Sequence, residues 1–229
     1  MVCAARLTQR GHCIKSLDNF MALYKKSYKE ETAFELANLP HPTLQKLGVI
    51  NIVILGASRR FLAQITRHQN EVKFISASLQ YSNYDDEADF VVPYAIIEKG
   101  KNVINNYISA CAEAMDVYHD MLETGLDNDT AGYIAPQGLR NILIVSATPY
   151  QWKHMIRQRA CRRNTAETRY VMLRIWESLF NLCPSMFKDA GPACVTAECL
   201  EGKMRCGEPV TAETAKEILE TDFPLLMKT

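Results

Sequence analysis

Hydrophobic positions recur along this chain with two different periods. Between Lys101 and Glu123, the residues Val103, Ile104, Tyr107, Ile108, Cys111, Met115, Tyr118, Met121 and Leu122 keep the spacing of an amphipathic helix. Leu17, Phe20, Met21 and Tyr24, with lysines and glutamates between them, predict another helix from Ser16 to Ala37. The runs Val49 to Leu55 and Ile142 to Val145 are short and rich in β-branched residues, so both read as buried strands. Gly56-Ala57 is expected to end the first strand, with Ser58 as N-cap of a helix through His68 whose apolar side is Phe61, Leu62 and Ile65. Residues 1–10 fit a strand or a lead-in turn. Two prolines make 38–43 a rigid loop. Residues 70–90 look polar and irregular, with an exposed loop at 83–87, and 125–129 form a turn. A last helix is predicted near Ala212 to Leu219.

Long helices and few strands, without regular alternation, predict an α+β fold in which long helices pack on a small antiparallel or mixed sheet. No glycine-rich fingerprint follows either strand, which argues against a dinucleotide-binding doubly wound sheet. At 229 residues and 48% hydrophobic composition, the chain can bury a sizeable core. We read 1–182 as a single domain and 183–229 as a cysteine-containing extension. The 26 basic and 26 acidic side chains cancel, so bulk nucleic-acid binding is not expected, and any anion site must come from local clustering. No apolar run is long enough for a membrane span, and no signal peptide is evident, so a cytoplasmic protein is expected. Its eight cysteines are then expected as free thiols, and no metal is assigned. Cys194, Cys199 and Cys206, with Cys183 or Cys161, could alternatively hold zinc or an iron–sulfur cluster.

One stretch carries an unusual charge density. Gln151 to Arg169 holds Arg157, Arg159, Arg162, Arg163 and Arg169 besides Lys153, His154 and Cys161, in what reads as one long helix reaching Leu182. Guanidiniums in such number suggest an anionic ligand or a neighbouring subunit. The alternative is a solvated face with ion pairs to Glu167 and Glu177.

Three segments carry a more specific signal. Ser58 through Gln69, followed by Ser76 to Tyr81, resembles the signature of flavin-dependent thymidylate synthases, R-H-R-x-x-S-x-N-x-x-S-x-R-Y, which lies downstream of a strand. Arg67-His68 matches its opening pair, Ser78 its late serine and Tyr81 its closing aromatic. His41 and Thr43 resemble a histidine and a flavin-contacting residue of the same family. Ile144 to His154, then Arg159 and Glu167-Thr168-Arg169, is similar to the family's later motif, and Ala131 to Pro136 to its A-R-x-V-L-P. Phe187 to Gly207 resembles a cysteine-bearing tail in one branch. The pattern is broken where Gln69, Gln80, Gly132 and Tyr150 replace arginines, Thr148 replaces asparagine and Ser76 replaces glutamate or glutamine.

The resemblance implies dUMP methylation to dTMP, with FAD as cofactor and NADPH and methylenetetrahydrofolate as cosubstrates. It implies a homotetramer with sites between subunits. Arg159 is the implied catalytic residue. Gln64, Arg67, Ser76, Ser78 and Gln80 are implied for substrate, and His41, Thr43, Arg67, His68, Gln69 and His154 for flavin. The departures leave two rivals, a divergent relative that binds FAD but acts on another substrate, and a non-catalytic binding protein of the same fold.

Overall fold

The computed structural model describes residues 2–39, 41–84, 88–196, 198–220 and 225–228. Its elements, in chain order, are α1 (Val2–Arg10), α2 (Leu17–Tyr24), α3 (Glu30–Ala37), β1 (Ile50–Ser58), α4 (Arg59–Ile65), β2 (Val72–Ser76), β3 (Asp89–Val92) and α5 (Tyr94–Ile97). There follow α6 (Lys101–Glu123), α7 (Asn128–Ala131), β4 (Arg140–Ala147), α8 (Pro149–Arg159), α9 (Ala166–Leu182), α10 (Pro184–Phe187), α11 (Ala193–Thr196), α12 (Ala212–Glu220) and β5 (Leu225–Lys228). The expected α+β architecture is present. β4 is the centre of an antiparallel sheet in the order β1-β4-β2, and β3 pairs with β5 in a second, two-stranded sheet. Among the described residues, no helix is long and apolar enough to cross a membrane.

The main core lies on one face of the three-stranded sheet. Alternation along β4 turns Leu143, Val145 and Ala147 inward, beside Ile54 of β1 and Val72 of β2. Phe61 and Ile65 of α4, Trp152, Met155 and Ile156 of α8, and Met172, Leu173 and Leu179 of α9 cover them. Residues beyond Leu182 enter the same core through Met186, Phe187, Ala190, Val210 and Ala215. Trp152 Nε1 donates to the Ile50 carbonyl at 3.1 Å, and Trp176 Nε1 to that of Phe187 at 2.8 Å, so both indoles are packed with their polar atom satisfied. A second core forms where α6 lays Cys111, Met115 and Tyr118 against Phe90 and Leu139.

On the opposite face a run of apolar side chains is left uncovered by the described residues. Val53 and Leu55 of β1, Ile75 of β2, and Ile142 and Ile144 of β4 all point outward, with Leu55 and Ile75 68% and 69% exposed. The pairings Val53 with Ile144, Ile75 with Ile144 and Leu55 with Ile142 make them one patch. A solvated sheet face is ordinarily polar, and contiguous apolar surface of this kind marks an interaction site.

Several local expectations are corrected. Residues 2–10 are helical. The helix expected from Ser16 to Ala37 is two, divided at 25–29, where three lysines and the hydrogen bond of Tyr28 Oη to the Leu23 carbonyl replace the helical pattern. Gly56 does not end β1. It takes a positive φ of 83° in a bulge, and the strand runs on to Ser58. Ser58 caps α4 as expected, accepting from Phe61 N at 3.1 Å, but that helix stops at Ile65. The segment read as irregular contains β2 and β3, and of its expected loop 85–87 lie outside the described residues, as does residue 40 of the two-proline loop. The arginine-rich helix is also two, α8 and α9. Asn164 Nδ2 donates to the carbonyls of Gln158 and Cys161, and Thr165 Oγ1 caps α9 by accepting from Thr168 N. Of the expected ion pairs, Arg174 does bind Glu177, but Glu167 turns inward to Ser58.

Candidate active site

Two walls face one another at the end of the sheet where Ile50, Val72 and Ala147 lie side by side. The first wall is the turn after α4. Thr66 Oγ1 donates to the Leu62 carbonyl and His68 N to that of Ile65, which ends the helix and releases Arg67 to Glu71. Glu71 then takes a left-handed backbone, φ 56°, a strained conformation for a residue with a side chain. The second wall is α8. Thr148 caps it, Pro149 starts it, and Trp152, Met155 and Ile156 fix one face in the core. That orientation leaves Tyr150, His154 and Gln158, four residues apart, with Gln151 and Arg159, on the open side.

Between the walls is a cavity of about 800 Å³ lined by Lys46, Arg67 to Glu71, Tyr150, Gln151, His154, Gln158 and Arg159. At its centre Arg159 Nε donates to His68 Nε2 at 2.8 Å, while Arg159 Nη1 donates to Asn164 Oδ1 at 3.3 Å. The His68 and His154 rings meet edge to face, 5.8 Å between centroids. Burial, with Arg159 and then His154 close by, pushes the His68 pKa down to about 4. At neutral pH His68 is therefore uncharged and presents the Nε2 lone pair to the guanidinium. Burial and the neighbouring Arg67 lower the Arg159 pKa from its ordinary value. Two guanidiniums held this close, in a cavity whose lining has Lys46 as a further cation and Glu71 as its carboxylate, favour an anion between them. Lys46 is partly engaged, 3.3 Å from Glu71 Oε1 and 5.0 Å above the Tyr150 ring.

Of the residues singled out from sequence, Arg67, His68, Gln69, His154 and Arg159 come together here. The others stand elsewhere. His41 and Thr43 open the exposed turn that ends in Lys46. Gln64 Oε1 accepts from Thr168 Oγ1 at 2.7 Å and so ties α4 to α9. Ser76, Ser78 and Gln80 lie at or beyond the far end of β2, and at about 3.4 Å per residue Ser76 stands roughly 14 Å from Val72. Gly132 packs beside them, and a Cβ there would come 3.0 Å from Leu79 Cβ. Lys46, Glu71 and Asn164 were not legible in the sequence. The positive φ of Glu71 and the bonds of Asn164 depend on neighbours that only the folded turns supply.

The family model described as thymidylate synthase complementing protein matches residues 1–185. The chain is similar to the flavin-dependent thymidylate synthase of Geobacter sulfurreducens, 28% identical over 189 residues that cover 80% of each protein. It is also similar to the enzyme of the same name from Sulfolobus acidocaldarius, 24% identical over 203 residues covering 79% of this chain and 76% of that one. A crystal structure of the UMP/dUMP methylase PolB from Streptomyces cacaoi, bound with 5-Br dUMP, superposes with a TM-score of 0.67. That match covers 82% of this chain and 87% of the other at 15% identity, a likeness of fold.

Proposed function

The chain belongs to the thymidylate synthase complementing protein family, and we propose that it is a flavin-dependent thymidylate synthase that methylates dUMP to dTMP. The observation that carries this reading is Arg159, held by neutral His68 and by Asn164 in a cation-lined cavity. The lining suits an anionic, aromatic ligand, with guanidiniums for phosphate and histidine and tyrosine rings for a flat heterocycle. Arg67 and Lys46 hold phosphate oxygens of FAD or of the nucleotide, and His154 lies against the flavin. When bound, FAD supplies the redox chemistry, with NADPH as reductant and methylenetetrahydrofolate as one-carbon donor. Arg159 holds the pyrimidine and stabilises negative charge that develops on its ring. His68 fixes the guanidinium plane without adding charge.

The enzyme acts in the cytoplasm as a homotetramer with its sites between subunits. Two observations support the assembly, the bare apolar sheet face and the distance along β2 that separates Ser76 and Ser78 from Arg159 in one chain. A second copy can bring the Ser78 loop to the cavity that its own chain cannot reach. A different substrate is the second reading, favoured by Gln69 in the cavity wall and by Gly132 beside Leu79, where the family carries arginines. The absorption spectrum of the purified protein, followed by calorimetric titration with dUMP, separates these. A flavin band with saturable dUMP binding is the expected result. Bound flavin without dUMP binding transfers support to the second reading, and absence of flavin binding rules out both.

A further inference from the structure

Three stretches of chain bring cysteines to one place. Cys161 lies in the α8–α9 loop, Cys194 on α11, and Cys199 and Cys206 on the segment that follows. All four line a cavity of about 460 Å³. None is in a disulfide. The backbone already addresses two of the sulfurs, since Val210 N–H donates to Cys194 Sγ at 3.3 Å and Glu208 N–H to Cys206 Sγ at 3.4 Å. The second contact needs Gly207, whose φ of 81° folds the chain back over Cys206. N–H donation to sulfur is a device by which proteins stabilise and tune metal-bound thiolates.

The wall mixes both signs of charge, and its guanidiniums offer donors to an anionic group. Arg162 and Arg205 are in the cavity wall, and Arg169 lies near Cys161 and Cys206. The buried Nε atoms of Arg162 and Arg169 have no hydrogen-bond partner among the described residues, so both have a donor to give. Glu198, Glu201 and Glu208 also face the cavity, and Glu208 is paired with Arg162 at 3.2 Å.

Size distinguishes the groups that four cysteines can hold. Four sulfurs around one zinc ion, at about 2.3 Å each, lie within roughly 4 Å of one another. Among the described residues, no three or more His, Cys, Asp or Glu side chains are gathered to hold a single ion. Thiols arranged around 460 Å³ leave room for an inorganic core of several atoms. We propose that Cys161, Cys194, Cys199 and Cys206 ligate an iron–sulfur cluster. Each would bind as the thiolate, the ligand set of common clusters. Cys161 is two residues from Arg159, and an adjoining cavity of about 490 Å³ touches Arg159 and His154 as well as Cys161, Cys194 and Cys199. The cluster therefore fastens the tail to the loop that follows Arg159 at the end of α8. This inference stands on the cysteines alone and does not depend on the reaction proposed above.

The test is the full chain expressed with iron and sulfide in supply and purified without oxygen. Iron, acid-labile sulfide and zinc are measured per chain, and an electron paramagnetic resonance spectrum is recorded after dithionite reduction. Wild type is expected to carry iron and sulfide in comparable amounts, with an iron-centred signal on reduction. Cys199→Ser and Cys206→Ser are expected to lose at least tenfold of both, while Cys13→Ser, far along the chain from the cluster, keeps them. Far-ultraviolet circular dichroism confirms that the variants are folded. Zinc in place of iron, iron retained by both variants, a disulfide among the four cysteines, or no metal at all overturns the proposal.

Discussion

Arg159 presents an unusual problem for a guanidinium, because burial and a second guanidinium, Arg67, both act against its charge. Arg67 opposes its protonation, and His68 answers with a lone pair in place of a carboxylate. A carboxylate there would neutralise Arg159 and weaken its hold on an anion, whereas a neutral imidazole orients it and leaves the charge free. The arrangement requires that His68 stay unprotonated. Its pKa of about 4 in the fold lies below the ordinary 6.5, so as pH falls the unfolded chain takes the proton first. The stability that neutral His68 brings is complete above about pH 6.5 and drains away as pH falls from there through about 4, by on the order of 2 kcal/mol. Thermal melts between pH 7 and pH 4 should show this loss in wild type and a flatter profile in His68→Gln. Equal slopes in the two proteins would mean that His68 titrates normally. At this scale the sequence disclosed Arg67, His68, Gln69, His154 and Arg159 because their order along the chain carries a motif. It did not disclose Asn164, whose role is a set of short bonds to Arg159, Gln158 and Cys161 within one loop.

The elements are held in register by a few polar contacts between distant segments. Glu167, near the start of α9, accepts from Ser58 N at 2.7 Å and from Ser58 Oγ at 2.6 Å. Burial pushes its pKa up while the two Ser58 bonds oppose that shift. Ser58 in turn caps α4, so one carboxylate locks the end of β1, the start of α4 and the start of α9. Glu167→Ala leaves a buried N–H and hydroxyl without an acceptor and should cost about 2–4 kcal/mol. Urea denaturation measures it, and a loss under about 0.5 kcal/mol, the range of ordinary surface substitutions, would show that the bridge carries no load. Elements whose signals are local were legible. The helix from Lys101 to Glu123 has an unbroken apolar stripe, and Ser58 stands where its side chain caps the next turn. β2 was hidden because its hydrogen-bond partner, β4, lies about seventy residues away and its alternation is masked by the outward-facing Ile75. The break between α8 and α9 was hidden because Gln151 to Leu182 is compatible with helix throughout and only Asn164 and Thr165 interrupt it.

For the whole molecule, the open sheet face and the separation of Ser78 from Arg159 along β2 point the same way. Five large apolar side chains on one face, Val53, Leu55, Ile75, Ile142 and Ile144, form a surface that a second copy can cover. Ile144 lies in the middle of this patch, paired across β4 with both Val53 and Ile75. Ile144→Glu should convert the assembly to smaller species in light scattering coupled to size exclusion, with its melting behaviour otherwise retained. An unchanged mass would place the contact elsewhere. Should the sites lie between subunits, the same variant loses turnover together with assembly, although Ile144 lies outside the cavity. The most direct test remains at the cavity itself, in the rate of dTMP formation by Arg159→Ala compared with wild type at equal bound flavin. The predicted result is a rate lowered by at least about 100-fold, the scale for losing one group that stabilises developing charge, with fold and flavin content preserved. Near-normal turnover by Arg159→Ala would contradict the assignment of this cavity as the active site.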